Sequence, residues 1–278
     1  MSVLELPGWL DWTWALSVLE SEVLVTGEVV NRAAGTLITS CAPDDEPVAV
    51  TVRKADGRLL VTPGDAAVVR AVVRRFHLDL DRQAVEQALD ASLPRFVPAR
   101  TADAGWVRRP AAAGLWPYCL IFLSGGNPWS ESISRIFADL GAKAGPLRVA
   151  PRPDDILTAG HEKLGGYGIA GHRVGNMLGL ASAFATRPGR YDEETLRALP
   201  GDVAVKRLGE LPHIGTRRAR AIASTALGHD DVLPDLSRHD DRLRQVLGSD
   251  WPRVRAAARL ASPYRSVVGD TLLDLVTD

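Results

Sequence analysis

The hydrophobic period of this chain changes once, near residue 65, and that change limits the folds open to it. Between 22 and 62 the sequence runs through EVLVTGEVV, GTLITS, VAVTV and RLLVT, short β-branched stretches parted by Asp, Gly and Pro. Alternating runs broken by turn residues predict a small antiparallel sheet. From 65 onward apolar residues return every three or four positions: Val68, Val72, Val73 and Phe76 form one stripe, Val85, Ala88 and Leu89 another. A loop rich in Pro, Arg and Ala spans 94–113. Beyond it, helical periodicity covers 131–140, 172–185, 203–211, 216–227 and 268–276, with Gly, Pro and Asp in the gaps. The expected fold class is α+β: a small antiparallel β-rich N-terminal domain over 1–105, then an all-helical domain over 106–278.

At 278 residues and 46% hydrophobic, the chain can bury a core in each part. Its net charge of −1 means that any affinity for nucleic acid comes from a local patch. Two cysteines, Cys41 and Cys119, are too few for a disulfide framework, a zinc site or an iron–sulfur cluster. No apolar run approaches the ~20 residues of a membrane span, and no signal segment opens the chain. A cytoplasmic protein without a metal site is expected. GYGIAG (166–171) matches G-x-G-x-x-G, but no strand precedes it, so its glycines are expected to shape a turn between helices.

The stretch LPHIGTRRARAIA (211–223) is more specific. A short helix over 204–211 leads through Pro212-His213-Ile214-Gly215 to a second, with Thr216 as N-cap and Ala219, Ile222, Ala223 and Ala226 as its apolar face. Such a turn aims backbone N–H groups and the positive helix end at an anion. Arg217, Arg218 and Arg220 add charge on the face away from the core. On these residues alone, a phosphate-holding device and a plain basic helical hairpin both stand.

The wider chain carries a resemblance. LPHIGTRRARAIASTALG resembles the helix-hairpin-helix (about 204–227) of the HhH-GPD DNA glycosylases, whose loose pattern is L-P-G-[IV]-G-x-x-x-A followed by a small-residue helix and L-G. DWTWALSVLESEVL (11–24), VVRRFHLDLDRQAVEQAL (72–89), LIFLSGGNPWSESISRI (120–136), KLGGYGIAGHRVGNMLGLA (163–181) and PYRSVVG (263–269) resemble, in family order, segments of its AlkA-like branch, the 3-methyladenine DNA glycosylase II type. The resemblance implies an enzyme that flips a nucleotide from duplex DNA and hydrolyses its N-glycosidic bond, leaving an abasic site. An oxocarbenium-like transition state calls for a fixed carboxylate, and a stacked base must be extruded to be reached. The implied partner is double-stranded DNA containing a modified base, held at its backbone by His213, Gly215, Thr216, Arg217, Arg218 and Arg220. No cofactor is implied; a monovalent cation at the hairpin is the one candidate ion. A nucleoid-associated monomer is expected.

The catalytic carboxylate has two candidates. Asp235 lies 20 residues after Gly215, a spacing that resembles the endonuclease III and MutY branches. Asp240 resembles the AlkA pattern, opening a helix in which Leu243, Val246 and Leu247 follow at helical spacing, and is preferred on that periodicity. Asp241 is an outside candidate, and any of these carboxylates could merely cap the helix. Where bifunctional members carry a Schiff-base lysine this chain has Arg217, which cannot be that nucleophile, so a monofunctional enzyme without AP-lyase activity is expected. Matched by position, the pocket aromatics of the AlkA type become Arg217, Ala221 and Leu273, while Gly125 and Gly126 take little room. Trp129, Trp116 or Tyr264 could restore the stacking. Otherwise the pocket is roomier and more polar, suited to a bulky base such as the glucosylated hydroxymethylcytosine of phage DNA, and the protein serves antiviral defence. Asn127 and Trp129 are candidates for the wedge that fills the gap left by the flipped base. The competing class is a DNA-binding protein that kept the hairpin and lost the chemistry.

Overall fold

The structure, a computed structural model, describes residues 1–20, 28–41, 47–92, 106, 108–124 and 131–276. Five strands, β1 (Ser2–Glu5), β2 (Val29–Asn31), β3 (Thr36–Cys41), β4 (Val48–Ala55) and β5 (Arg58–Thr62), form one sheet in the order β1-β5-β4-β3-β2. Every pairing is antiparallel, with Leu37 opposite Val52 and Val52 opposite Val61. Alternation sends Leu37, Val50, Val52, Leu59 and Val61 to one face, where all are buried. Helices α1 (Trp12–Glu20), α2 (Ala66–Arg75) and α3 (Arg82–Ser92) complete this part; Trp12, Leu16, Val68, Val72, Phe76 and Val85 share a core with those strand residues. Asp65 caps α2 by accepting from the Val68 amide at 2.9 Å. Beneath the sheet, Arg75 pairs with Glu28, both buried, and Thr39 completes the cluster.

The rest is mostly helical: α4 (Leu115–Ser124), α5 (Glu131–Leu140), α6 (Pro153–Gly166), α7 (Gly171–Thr186), α8 (Glu193–Arg197), α9 (Gly201–Leu208), α10 (Thr216–Thr225), α11 (Asp240–Leu247), α12 (Trp251–Leu260) and α13 (Arg265–Asp274). The expectation of an all-helical second part needs one correction. A two-stranded ribbon, β6 (Lys143–Ala144) with β7 (Leu147–Arg148), follows α5, its turn made by Gly145 at φ +55°. Two-residue strands leave no periodic signal, which is why this ribbon is invisible to pattern reading. The glycines of GYGIAG form the turn from α6 to α7, with Gly168 at φ +83°. Among the described residues no helix is long and apolar enough to cross a membrane.

The two parts are joined by a strap. Trp106 stacks on Trp9 with ring centroids 5.1 Å apart, so the first core recruits residues beyond 105; Val267 and Tyr264 of the C-terminal region join it too. Further along, the Ala111 amide donates to the Arg75 carbonyl at 2.7 Å and the Ala112 amide to the Thr225 carbonyl at 2.8 Å. Beside the strap His77 sits at φ +52° and is buried, its Nδ1 3.6 Å from Asp230 and its Nε2 without a hydrogen-bond partner among the described residues. Burial, followed by the charges of Arg108 and Arg197, pushes its pKa well below 6.5.

A base with a depressed folded pKa takes up its proton only on unfolding, so stability is present above the unfolded value and is lost as pH falls through it. His77 is therefore expected to lower stability as the pH falls from about 7.5 to 5.5. His229 and His239, also lowered, add in the same direction. Chemical denaturation at the two pH values should show a shallower loss in His77→Asn, because asparagine tolerates the left-handed backbone and does not titrate in this range. An unchanged slope would remove His77 from this role.

Candidate active site

The hairpin consists of α9, the turn 209–215 and α10. Ala204, Leu208, Leu211 and Ile214 pack against Ala219, Ile222, Ala223 and Ala226 in one core, which sets the angle between the helices. His213 adopts φ +64°, the left-handed conformation that the turn requires of it. Thr216 is not the cap that its chemistry suggested: it is the first helical residue, and Gly215 precedes it in extended conformation. A glycine cap offers no side-chain oxygen, so the first amides of α10 are left for an external acceptor. The far end is closed by Arg197, whose guanidinium donates to the Leu227 and Ala226 carbonyls at 3.2 and 3.3 Å.

The hairpin arginines divide their work. Arg218 donates to the His213 carbonyl at 2.7 Å, and its guanidinium carbon lies 5.9 Å from the centre of the Phe122 ring. The Arg218 guanidinium is thereby held against the turn. Arg220 is exposed on α10. Arg217 turns the other way and places its Nε 3.3 Å from Asp235 Oδ2.

Asp235 ends a loop that is clamped onto α13. Arg265 holds Asp231 through two bonds, 2.7 and 3.1 Å. The buried Ser266 hydroxyl lies 2.6 Å from the carbonyl oxygens of both His229 and Val232, and the Ser266 amide donates to the Asp230 carbonyl at 2.7 Å. Arg108 then ties Asp230 to Asp270, at 3.1 and 2.6 Å. The Pro234 ring packs onto Gly269 so closely that a Cβ there would overlap it. Arg265, Ser266, Gly269 and Asp270 of PYRSVVGD thus each touch this loop or the residues bound to it. The Asp235 side chain itself accepts from the Ser237 amide at 3.0 Å and opens a 3-10 turn over Leu236–His239.

Asp240 is engaged elsewhere. Oδ1 accepts from Trp251 Nε1 at 2.9 Å and from Arg255 at 3.2 Å, and Oδ2 from Arg244 Nε at 2.9 Å. The bonds from Trp251 and Arg244 hold its pKa below the usual carboxylate range. It does begin α11, but of its expected apolar face only Leu243 is buried, with Leu247 half-buried and Val246 half-exposed. Asp241 is exposed on the same turn.

Of the other candidates, Gly125, Gly126, Asn127 and Trp129 lie outside the described residues. Ala221 is half-buried on α10, one turn beyond Arg217. Leu273 is half-buried and packs with the C-terminal core; Tyr264 is half-buried against the N-terminal one. Trp116 is committed to packing: its ring contacts Phe184, with centroids 5.2 Å apart, and its Nε1 donates to the Pro151 carbonyl at 2.7 Å. Two residues escaped sequence reasoning. Trp14 reaches from α1 to Asp274, beside Leu273, with a bond of 3.0 Å. His239, four residues after Asp235, is lowered in pKa by burial and by Arg109, Arg242 and Arg238, which favours its neutral form. Its burial and the approach of Arg109, 130 residues earlier in the chain, carry no mark in the local sequence. Among the described residues no group of three His, Cys, Asp or Glu side chains converges on a metal position.

The Gly269 contact gives a direct test of the loop's placement. In Gly269→Ala the methyl group displaces Pro234 and with it Asp235. Overpacking of this kind costs about 1–3 kcal/mol, so Gly269→Ala should lower the melting temperature. Pro234→Ala in the same chain should restore much of the loss. A loss that Pro234→Ala does not relieve would deny the contact this role.

No protein-family model and no curated protein matches the chain. Solved structures do. A 3-methyladenine DNA glycosylase from Archaeoglobus fulgidus superposes with a TM-score of 0.76 at 19% identity, covering 98% of this chain and 97% of that one. The apo form of an 8-oxoguanine glycosylase/lyase from Clostridium acetobutylicum gives 0.65 at 13% identity, over 99% and 95%. The same enzyme in complex with double-stranded DNA gives 0.62 at 14%, over 91% and 88%. From sheet to closing helix, the chain has the fold of the helix-hairpin-helix DNA glycosylases.

Proposed function

We propose that this protein is a DNA N-glycosylase that extrudes a modified base from duplex DNA and hydrolyses its N-glycosidic bond, with Asp235 as the carboxylate facing the cationic sugar. The observation that carries the reading is the pairing of Asp235 with Arg217: it sets a carboxylate, on a clamped loop, beside a helix whose first amides are uncapped. An ionised carboxylate fixed there stabilises positive charge as it develops on the sugar and positions the attacking water. The hairpin amides and Arg220 hold the backbone of the same strand. Asp240 serves structure instead, since three donors already occupy it. The duplex bound by the Clostridium neighbour is the kind of partner this reading requires.

Water is the proposed nucleophile. Arg217 stands where a Schiff-base lysine would act, and a guanidinium is not such a nucleophile, so an abasic site without strand scission is the product. An alkylated or oxidised base, the substrate classes named for the archaeal and clostridial neighbours, is the first reading of the substrate. A second reading, a bulky polar base such as a glucosylated hydroxymethylcytosine of phage DNA, rests on the exposed Arg217 guanidinium and the small Ala221 where aromatic stacking was expected. A monomer suffices for either. The deciding experiment incubates the protein with genomic DNAs carrying different modifications, phage DNA included, and identifies released bases by mass spectrometry. Release from alkylated DNA alone favours the first reading, and release from modified phage DNA the second. Duplex binding without any abasic site would defeat both and leave a DNA-binding protein.

A further inference from the structure

The segment from Asp235 to Asp240 carries a second arrangement at its far end. Arg244, Trp251, Pro252, Arg255, Ala256 and Arg259 line a groove of about 280 Å³ between α11 and α12. Arg244 and Arg255 both reach the Asp240 carboxylate, at 2.9 and 3.2 Å, which anchors the two guanidiniums side by side. Arg259 lies one turn beyond Arg255 on the same face of α12 and is exposed. The lining contains no acid, and three arginines against the one Asp240 beneath them leave a surplus of two positive charges. In a chain of net charge −1 this is a local concentration. The groove belongs to α11 and α12, whereas the hairpin is α9 and α10.

We propose that this groove is a second phosphate-binding site, which holds the backbone of double-stranded DNA apart from the hairpin. Guanidinium forks fixed on a carboxylate still present outward N–H donors in the planar geometry that suits phosphate oxygens. Pro252 and Ala256, both exposed, give the groove an apolar wall against which the sugar edge of a strand can lie. The inference rests on the glycosylase reading, but concerns affinity rather than chemistry.

The test measures binding of the full chain to an undamaged duplex across a salt series, with excision from a modified duplex alongside. Arg259→Ala should lower the slope of log affinity against log salt by about 1, and Arg259→Glu should weaken binding at low salt about five- to tenfold, with single-turnover excision at saturating protein unchanged. Arg255→Gln, which keeps a donor to Asp240, should act in the same direction as Arg259→Ala. Slope and affinity unchanged in all three variants would overturn the proposal while leaving the excision reading intact. Calorimetric titration with inorganic phosphate separates the sources: phosphate binding that depends on Arg259, together with an unchanged duplex slope, would make the groove a small-anion site and also overturn the proposal. Absence of both duplex binding and excision in the unmodified protein would reject the glycosylase reading itself.

Discussion

Asp235→Asn is expected to slow base excision by about 10³-fold in single-turnover measurements while duplex affinity changes little. The amide keeps the shape of the side chain and can still accept from the Ser237 amide, so the 3-10 turn should survive. What it loses is the charge that would face the cationic sugar. Asp240→Asn makes the control. That substitution weakens the bonds to Arg244, Arg255 and Trp251, and should lower the melting temperature, with excision retained. The two variants therefore separate chemistry from folding. If excision instead survives in Asp235→Asn and disappears in folded Asp240→Asn, the assignment made here is wrong.

The second large effect is on folding. Arg108 is 2% exposed and makes bonds of 2.6 Å to Asp270 and 3.1 Å to Asp230, with the Ser224 carbonyl at 3.3 Å. Burial disfavours its charge, and the two aspartates together more than restore it. Arg108→Met strips the buried Asp270 carboxylate of its guanidinium partner, leaving the Arg109 amide 3.0 Å away, and should cost about 3–5 kcal/mol. Urea denaturation measures this directly. Arg108→Met combined with Asp270→Asn should be less damaging than the sum of the single changes, because the second removes the charge that the first strands. Strict additivity would show that the pair is not coupled. Arg108→Lys should recover only part of the loss, since an ammonium cannot span both carboxylates and the carbonyl in one plane.

Much of this architecture was legible in the order of residues. The change of period at 65 marks the end of the five-stranded sheet, though α1 precedes it, and α5 spans 131–140 as its apolar stripe predicts. The hairpin was readable because its turn is local: Pro212, His213 and Gly215 set its conformation within a few residues. β1 was not, because its partner β5 lies more than fifty residues away and no turn announces the pairing. The two carboxylates show the limit most clearly. Periodicity correctly places Asp240 at the start of a helix, yet which way a helix-opening carboxylate faces depends on Trp251 and Arg255 of the next helix. Asp235 owes its place to Ser266, Gly269 and Arg265, some thirty residues further on. Spacing along a chain carries no record of such contacts.

The strap residues Trp106 and Arg108 to Ala112 bear on how this protein can be divided or recombined. Within seven positions the strap stacks on Trp9, donates to Arg75, grips Asp230 and Asp270 through Arg108, and donates to Thr225. A sheet domain transplanted without it would leave one side of the Trp9 indole bare. A helical domain expressed without it would leave two aspartates facing each other with no cation between them. A cut between the two parts is therefore expected to be tolerated best where the strap stays attached to both of them.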